Sequence, residues 1–245
     1  MKQLNLEKCA LPAALLIFSA AIFNYAQDTR KNQRPNKATE PPATASPLPA
    51  NIDRTVKYSY EFSQPNFYIN HITIEHDQVG KGTIKFTRKN EDAEVVEPLQ
   101  LSADAATRVM GLWESLKFLE SDTDYQSSKH YAHLGVMKIG MERGEQKRVA
   151  EFDWTHDTAA ADLVAEYRRA ADQAIMVFDI GIARENQPLN APKLMEGLES
   201  LLKRNGLSDP KQLLPLLTDI STDERVPLIA RNHAQRLIKK IQIQK

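Results

Sequence analysis

Val56, Tyr58, Tyr60 and Phe62 alternate with Lys57, Ser59 and Glu61. A period of two puts every apolar side chain of such a segment on one face of a strand and every polar one on the other. A chain with this pattern must build a sheet with one dry face and supply apolar elements to lay over it. The pattern has a sharp onset. Residues 27–55 carry Pro35, Pro41, Pro42, Pro47 and Pro49 among Ala, Thr, Ser, Asn and charged side chains. They offer little apolar surface to offset the entropy of ordering them, so 27–55 is expected to be a disordered Pro-rich linker.

Strand signals continue past Phe62. Ser63-Gln64-Pro65-Asn66 is a turn, and Phe67 to His76 is a second strand whose alternation fails near Asn70, where a bulge or a two-faced strand fits. Gly80-Lys81-Gly82 is read as the next turn, leading into Thr83 to Arg88 with Ile84 and Phe86 inward. Val95 to Leu101 follows as a strand that Pro98 confines to an edge. Ser102 caps a helix with the stripe Ala106, Val109, Met110, Trp113 and Leu116. Two more strands, one with Met137, Ile139 and Met141 and one with Ala150, Phe152 and Trp154, flank the turn Arg143-Gly144-Glu145. Asp157 then caps a long helix with the stripe Leu163, Tyr167, Ala171, Ala174, Phe178 and Ile182.

From about residue 186 the signals are helical. A helix from Asn190 or Ala191 carries Leu194, Leu198, Leu201 and Leu202 and stops at Gly206. Asp209-Pro210 starts another, kinked at Pro215, and a last one runs from about Arg225 with Ile229, Ala234, Leu237, Ile238 and Ile241 inward. The expected fold class is α+β: a five- or six-stranded, mostly antiparallel sheet with two helices, followed by a small all-α helical subdomain. The expected divisions are 1–26, 27–55, 56–185 and 186–245.

Ahead of the linker, Lys2 and Lys8 precede an apolar run from Cys9 to Phe23. Its length suits the core of a signal peptide better than a membrane span of about 20 residues. Residues 1–26 are therefore expected to be a signal peptide, or an N-terminal anchor if they are retained, and the protein to be exported, periplasmic or extracellular. Cys9 is the only cysteine, so cleavage leaves none for disulfides, thiol catalysis or cysteine-bound metal. Lys and Arg together number 32, as do Asp and Glu, a balance that gives no field favouring nucleic acid. Neither G-x-G-x-x-G nor G-x-x-x-x-G-K occurs, and no cofactor is implied. Contact with a membrane is expected only through an uncleaved N-terminal segment.

Candidate chemistry is sparse. His130 and His133, with Asp122 and Asp124 upstream, offer imidazole and carboxylate donors suited to zinc or another divalent ion. Their spacing matches no metal signature, and the polar sequence around them equally suits a solvated loop. Asp153, His156 and Asp157 flank Trp154, where a histidine near two carboxylates suits a general base; Asp157 as a helix cap and Trp154 as a core residue give the structural reading. His71 and His76 are read as surface or sheet-face residues, and His233 as solvent-facing. Tyr58, Tyr60, Phe67 and Tyr68 are a binding face or simply core at strand period, and the period favours core.

Three resemblances add to this. Tyr-Glu-Phe-Ser-Gln-Pro (60–65) with Phe67-Tyr68-Ile69, Leu-Leu-Pro-Leu-Leu (213–217) and Val-Pro-Leu-Ile-Ala-Arg-Asn-His-Ala (226–234) resemble a group of uncharacterised exported bacterial proteins. That resemblance implies export and leaves the activity open. The helix pair from Asp209 to Ile241 is similar to a single HEAT-type unit, and a helical hairpin packed on the sheet domain serves as well. The order of elements from Phe67 to Ala171, with a helix ending Leu-Lys-Phe-Leu (116–119), is similar to emfourin-type protease inhibitors, a likeness of fold order alone. The sequence thus leads to a non-enzymatic binding or interaction module of the cell envelope with a protein partner. The alternatives are a metal-dependent hydrolase using the His130/His133 loop and a protein protease inhibitor.

Overall fold

The structure, a computed structural model, describes residues 56–91 and 93–243. The expectations for 1–26 and 27–55 lie outside the described residues. Six antiparallel strands, β1 Val56–Ser63, β2 Ile69–His76, β3 Lys81–Arg88, β4 Val95–Gln100, β5 Val136–Arg143 and β6 Gln146–Phe152, form one sheet in the order β4-β3-β2-β1-β5-β6. Five helices accompany it among the described residues: α1 Ala103–Leu116, α2 Thr158–Asn186, α3 Ala191–Lys203, α4 Leu214–Thr222 and α5 Leu228–Ile243. The protein is α+β, and every adjacent strand pair is antiparallel.

The period of two decides which face is dry. Tyr60, Ile74, Ile84, Phe86 and Ile139 are fully buried on the helix side of the sheet, with Trp113 of α1 and Leu163 and Tyr167 of α2 over them. The other face is polar: Lys138 of β5 bridges Glu61 of β1 at 3.6 Å and Glu151 of β6 at 3.4 Å, and Lys147 pairs with Glu142. An antiparallel sheet tolerates water on one face in this way. At the centre of the dry side, the Trp113 Nε1–H donates to the Tyr167 hydroxyl oxygen at 3.0 Å. The Tyr167 O–H in turn donates to His76 Nε2 at 2.8 Å. His76 Nδ1–H donates to the Asp77 carbonyl at 2.7 Å, which fixes the neutral tautomer because a carbonyl only accepts. His76 also stacks on Tyr58, so this histidine is a satisfied core residue.

Both helix caps agree with the sequence: Ser102 accepts from Ala105 N and Asp157 from Ala160 N. α2 is 29 residues long, and its two halves serve different cores. Leu163 to Ile175 pack into the sheet core, whereas Ile180 and Ala183 join a second buried cluster with Met195, Leu198, Leu217, Ala230, Ala234 and Leu237. All described residues fall within a single compact unit.

Several local expectations are corrected. The turn before β3 is Asp77 to Gly80, where the Asp77 carboxylate accepts from Val79 N and Lys81 N, and Gly82 is already a strand residue. A Cβ at Gly82 would lie 1.8 Å from the Glu75 carbonyl oxygen. Trp154 is exposed because β6 ends at Phe152, so strand parity no longer applies to it. Ile182 and Ile229 are exposed, and Ile180 and Ala230 take the inward positions. α3 is stopped by Asn205 in the left-handed region (φ 59°), one residue before Gly206. Pro215 falls in the first turn of α4, where its missing N–H is harmless, so it starts that helix rather than kinking it. His233 is buried and contacts Glu199 at 3.1 Å.

Candidate functional site

The β1–β2 connection builds the most distinctive surface feature. Gln64 is buried; its Nε2 donates to the Ala132 carbonyl at 2.8 Å and its backbone N donates to Asn70 O at 2.8 Å. Fastening the turn from below holds Phe67 and Tyr68 outward, 43% and 63% exposed. The β2–β3 register then shifts between Ile69 and His71, with Asn70 accepting from the Thr87 hydroxyl. A bulge re-aims the side chains around it, and here it follows the exposed aromatics directly.

α2 passes beside this corner and closes a groove of about 420 Å³, lined by Tyr60, Phe62, Phe67, Tyr68, Ile69, Ile72, Arg168, Ala171 and Asp172. The Tyr60 ring stacks on Tyr167 with 5.1 Å between centroids and 5° between planes. One position on, Arg168 holds its guanidinium 5.0 Å over the Phe62 ring. Arg168 and Asp172 are four residues apart, so both stand on the same flank of α2. Asp172 lies 3.6 Å from Arg204, while Arg168 makes no ion pair with any described residue.

Two electrostatic features single out this groove. Burial pushes the Asp172 carboxyl above its ordinary value, against the pull of Arg204 and Arg168. Burial likewise pushes the Tyr60 phenol up to about 12, against the pull of Arg168. The Tyr60 hydroxyl, on a residue with no exposed surface, faces the Arg168 guanidinium without a well-formed hydrogen bond, and its own proton meets no acceptor among the described residues. Three other buried side-chain atoms also lack a well-formed hydrogen bond, on Arg88, Glu166 and Arg231, but of the four residues only Tyr60 lines the groove. A hollow of about 470 Å³ on the open sheet face and one of about 630 Å³ beside Trp113 are larger, yet none of the four lines either.

The His130 loop has a different role. The Asp153 carboxylate accepts from Gln126 Nε2 at 2.8 Å, Tyr131 N at 2.8 Å and His130 Nδ1 at 3.2 Å. Burial alone would raise its pKa; these hydrogen bonds outweigh burial and hold it below the ordinary value. Ser127 N donates to Trp154 O, and Arg148 reaches the Phe118 and Thr123 carbonyls at 2.6 Å each. The segment from Phe118 to Tyr131 is thereby fastened to Arg148 of β6 and to the turn that follows that strand. His130 (side chain 76% exposed) meets Asp153. His133 is exposed with its ring against Tyr131, Asp124 accepts from Gln126 N, and Asp122 is exposed. The structure does not bring the four residues His130, His133, Asp122 and Asp124 together. Among the described residues, no group of three or more His, Cys, Asp or Glu side chains is placed to hold a metal ion. Asp157 is occupied as the cap of α2, and His156 is exposed.

Of the aromatics considered from sequence, Tyr58 and Tyr60 are core, and Phe67 and Tyr68 are surface. Arg168, Asp172, Ile69 and Ile72 carried no sequence signal of a site. The only hint was the i, i+4 pair of opposite charges on the flank of a stripe that includes Tyr167 and Ala171. No described helix is long and apolar enough to cross a membrane. The chain matches no protein-family model, and a search of curated proteins finds no match.

Proposed function

We propose that the chain is a non-enzymatic binding module of the cell envelope that receives its ligand or protein partner in the groove between the β1–β2 corner and α2. The reading is carried by one observation: two outward aromatic side chains stand beside a buried phenol whose proton meets no acceptor among the described residues. Aromatic residues are enriched where proteins bind, and a concave apolar site with a few convergent polar groups is the usual form of a ligand pocket. A titratable group with a displaced pKa in a cleft, as Asp172 is, adds to that reading. Export is supported by the apolar run from Cys9 to Phe23. The same reading treats the helices from Ala191 onward as a small all-α subdomain braced by α2. Their own buried cluster supports this, and the brace would hold Arg204 of the α3 end against Asp172.

The test is a crosslinked pull-down from envelope extract with wild-type protein and a Phe67→Ala, Tyr68→Ala double variant. Both residues are exposed, so the variant keeps the fold. A stoichiometric partner captured by the wild type and lost in the variant is the expected result. Capture unaffected by the variant, or no capture by either form, contradicts the proposal.

A further inference from the structure

We infer that the groove binds an apolar ligand bearing a carboxylate, a chemistry shared by free acyl carboxylates and by polypeptide chains that end in an apolar residue. The inference rests on the reading of the groove as the ligand site. The walls define the apolar half: Phe62, Phe67, Tyr68, Ile69 and Ile72 surround a space of about 420 Å³. That size is within the range that encloses small ligands.

The polar end defines the other half, and it offers donors. Tyr60 Oη is buried beside Arg168 with no acceptor for its proton among the described residues, and with its pKa pushed up to about 12 it stays protonated and able to donate at any physiological pH. Arg168 presents a planar fork of N–H groups. Its face is spent on the Phe62 ring, whereas its N–H edges have no carboxylate among the described residues. A guanidinium held flat by an aromatic ring is ordered before a ligand arrives, which suits two-point recognition of a carboxylate. The one acidic group on the wall, Asp172, is paired with Arg204 at 3.6 Å, while Arg168 makes no ion pair among the described residues. An anionic head group therefore meets the Arg168 guanidinium, and an apolar tail meets aromatic and aliphatic walls.

The experiment is titration calorimetry on the purified full-length chain with four probes: octanoate, octan-1-ol, an N-acetylated tripeptide Ala-Ala-Phe with a free carboxylate, and its C-terminal amide. At least one carboxylate is expected to bind about tenfold or more tightly than its uncharged counterpart, as a charge-assisted hydrogen bond implies. Whether octanoate or the tripeptide binds identifies the source. Arg168→Gln and Tyr60→Phe should each erase most of that preference without loss of the folded state in a thermal melt. The inference is overturned if neither carboxylate binds, if the carboxylates bind no better than their counterparts, or if both variants keep the preference. Failure of all four probes alongside partner capture that still depends on Phe67 and Tyr68 removes the ligand class and leaves the binding-module reading standing. Failure of both experiments removes both.

Discussion

Tyr60 and Tyr167 are stacked rings with opposite hydrogen-bonding circumstances, and replacing each by phenylalanine should have opposite consequences. The Tyr167 hydroxyl accepts from Trp113 Nε1–H and donates to His76 Nε2. Tyr167→Phe leaves both atoms buried without a partner, and each orphaned group costs about 1–3 kcal/mol, giving about 2–6 kcal/mol in all. For a folded region of this size, about 2–4 °C of melting temperature goes with each kcal/mol, so a fall of about 4–24 °C is expected. Tyr60→Phe removes a hydroxyl that has no well-formed hydrogen bond among the described residues, and a neutral to slightly stabilising change of up to about 1 kcal/mol is expected. Differential scanning calorimetry of both variants at pH 7.5 measures the contrast. Equal losses from the two substitutions would refute the assignment of partners, as would a loss below about 1 kcal/mol for Tyr167→Phe.

The remaining predictions concern pH, backbone and loop. Burial holds the His76 pKa below its ordinary 6.5, so the folded state disfavours the charged ring. The stability this contributes is present above pH 6.5 and is lost as pH falls from there through the folded value, visible in melts stepped from pH 7.5 to pH 5 and much reduced in a His76→Gln variant. Glu199 is held down at about 2, mainly by Lys240, with Lys203 and His233 assisting, so its contribution disappears only as pH falls from about 4.5 toward 2. Gly82→Ala should yield little folded protein, since the new Cβ meets the backbone of Glu75 and His76, which no side-chain rotation relieves; expression and circular dichroism check this. His130→Ala with His133→Ala should change stability by less than about 1 kcal/mol, because both rings are largely exposed and Asp153 keeps its bonds to Gln126 and Tyr131. Urea unfolding tests that value.

The strands and the first two helices were legible in the sequence because one face of each is buried and the other is not. Tyr58, Tyr60 and Phe62 announce the dry face by period alone, Pro98 announces an edge, and Ser102 and Asp157 announce helix starts. What the sequence concealed depends on contacts between distant segments. Trp154 looks like the next inward residue of β6 until the strand stops at Phe152, and His233 looks solvent-facing until α3 brings Glu199 beside it. Periodicity also misleads along a helix that changes cores: the stripe on α2 extends by period to Ile182, whereas the second cluster takes Ile180 and Ala183. The groove was invisible for the same reason. Its aromatics stand out in the sequence, but Arg168 and Asp172 are ordinary helix-surface charges until α2 is laid across the β1–β2 corner.

Site-specific photo-crosslinking tests the central claim most directly. A benzoylphenylalanine at position 68 replaces an exposed tyrosine at the mouth of the groove, and one at position 149 replaces the exposed Val149 on the open face of the sheet. Irradiation of cells carrying each form should give a defined adduct from position 68 and none from position 149. Adducts from position 149 alone, or from neither position, would contradict the groove as the place where this protein binds.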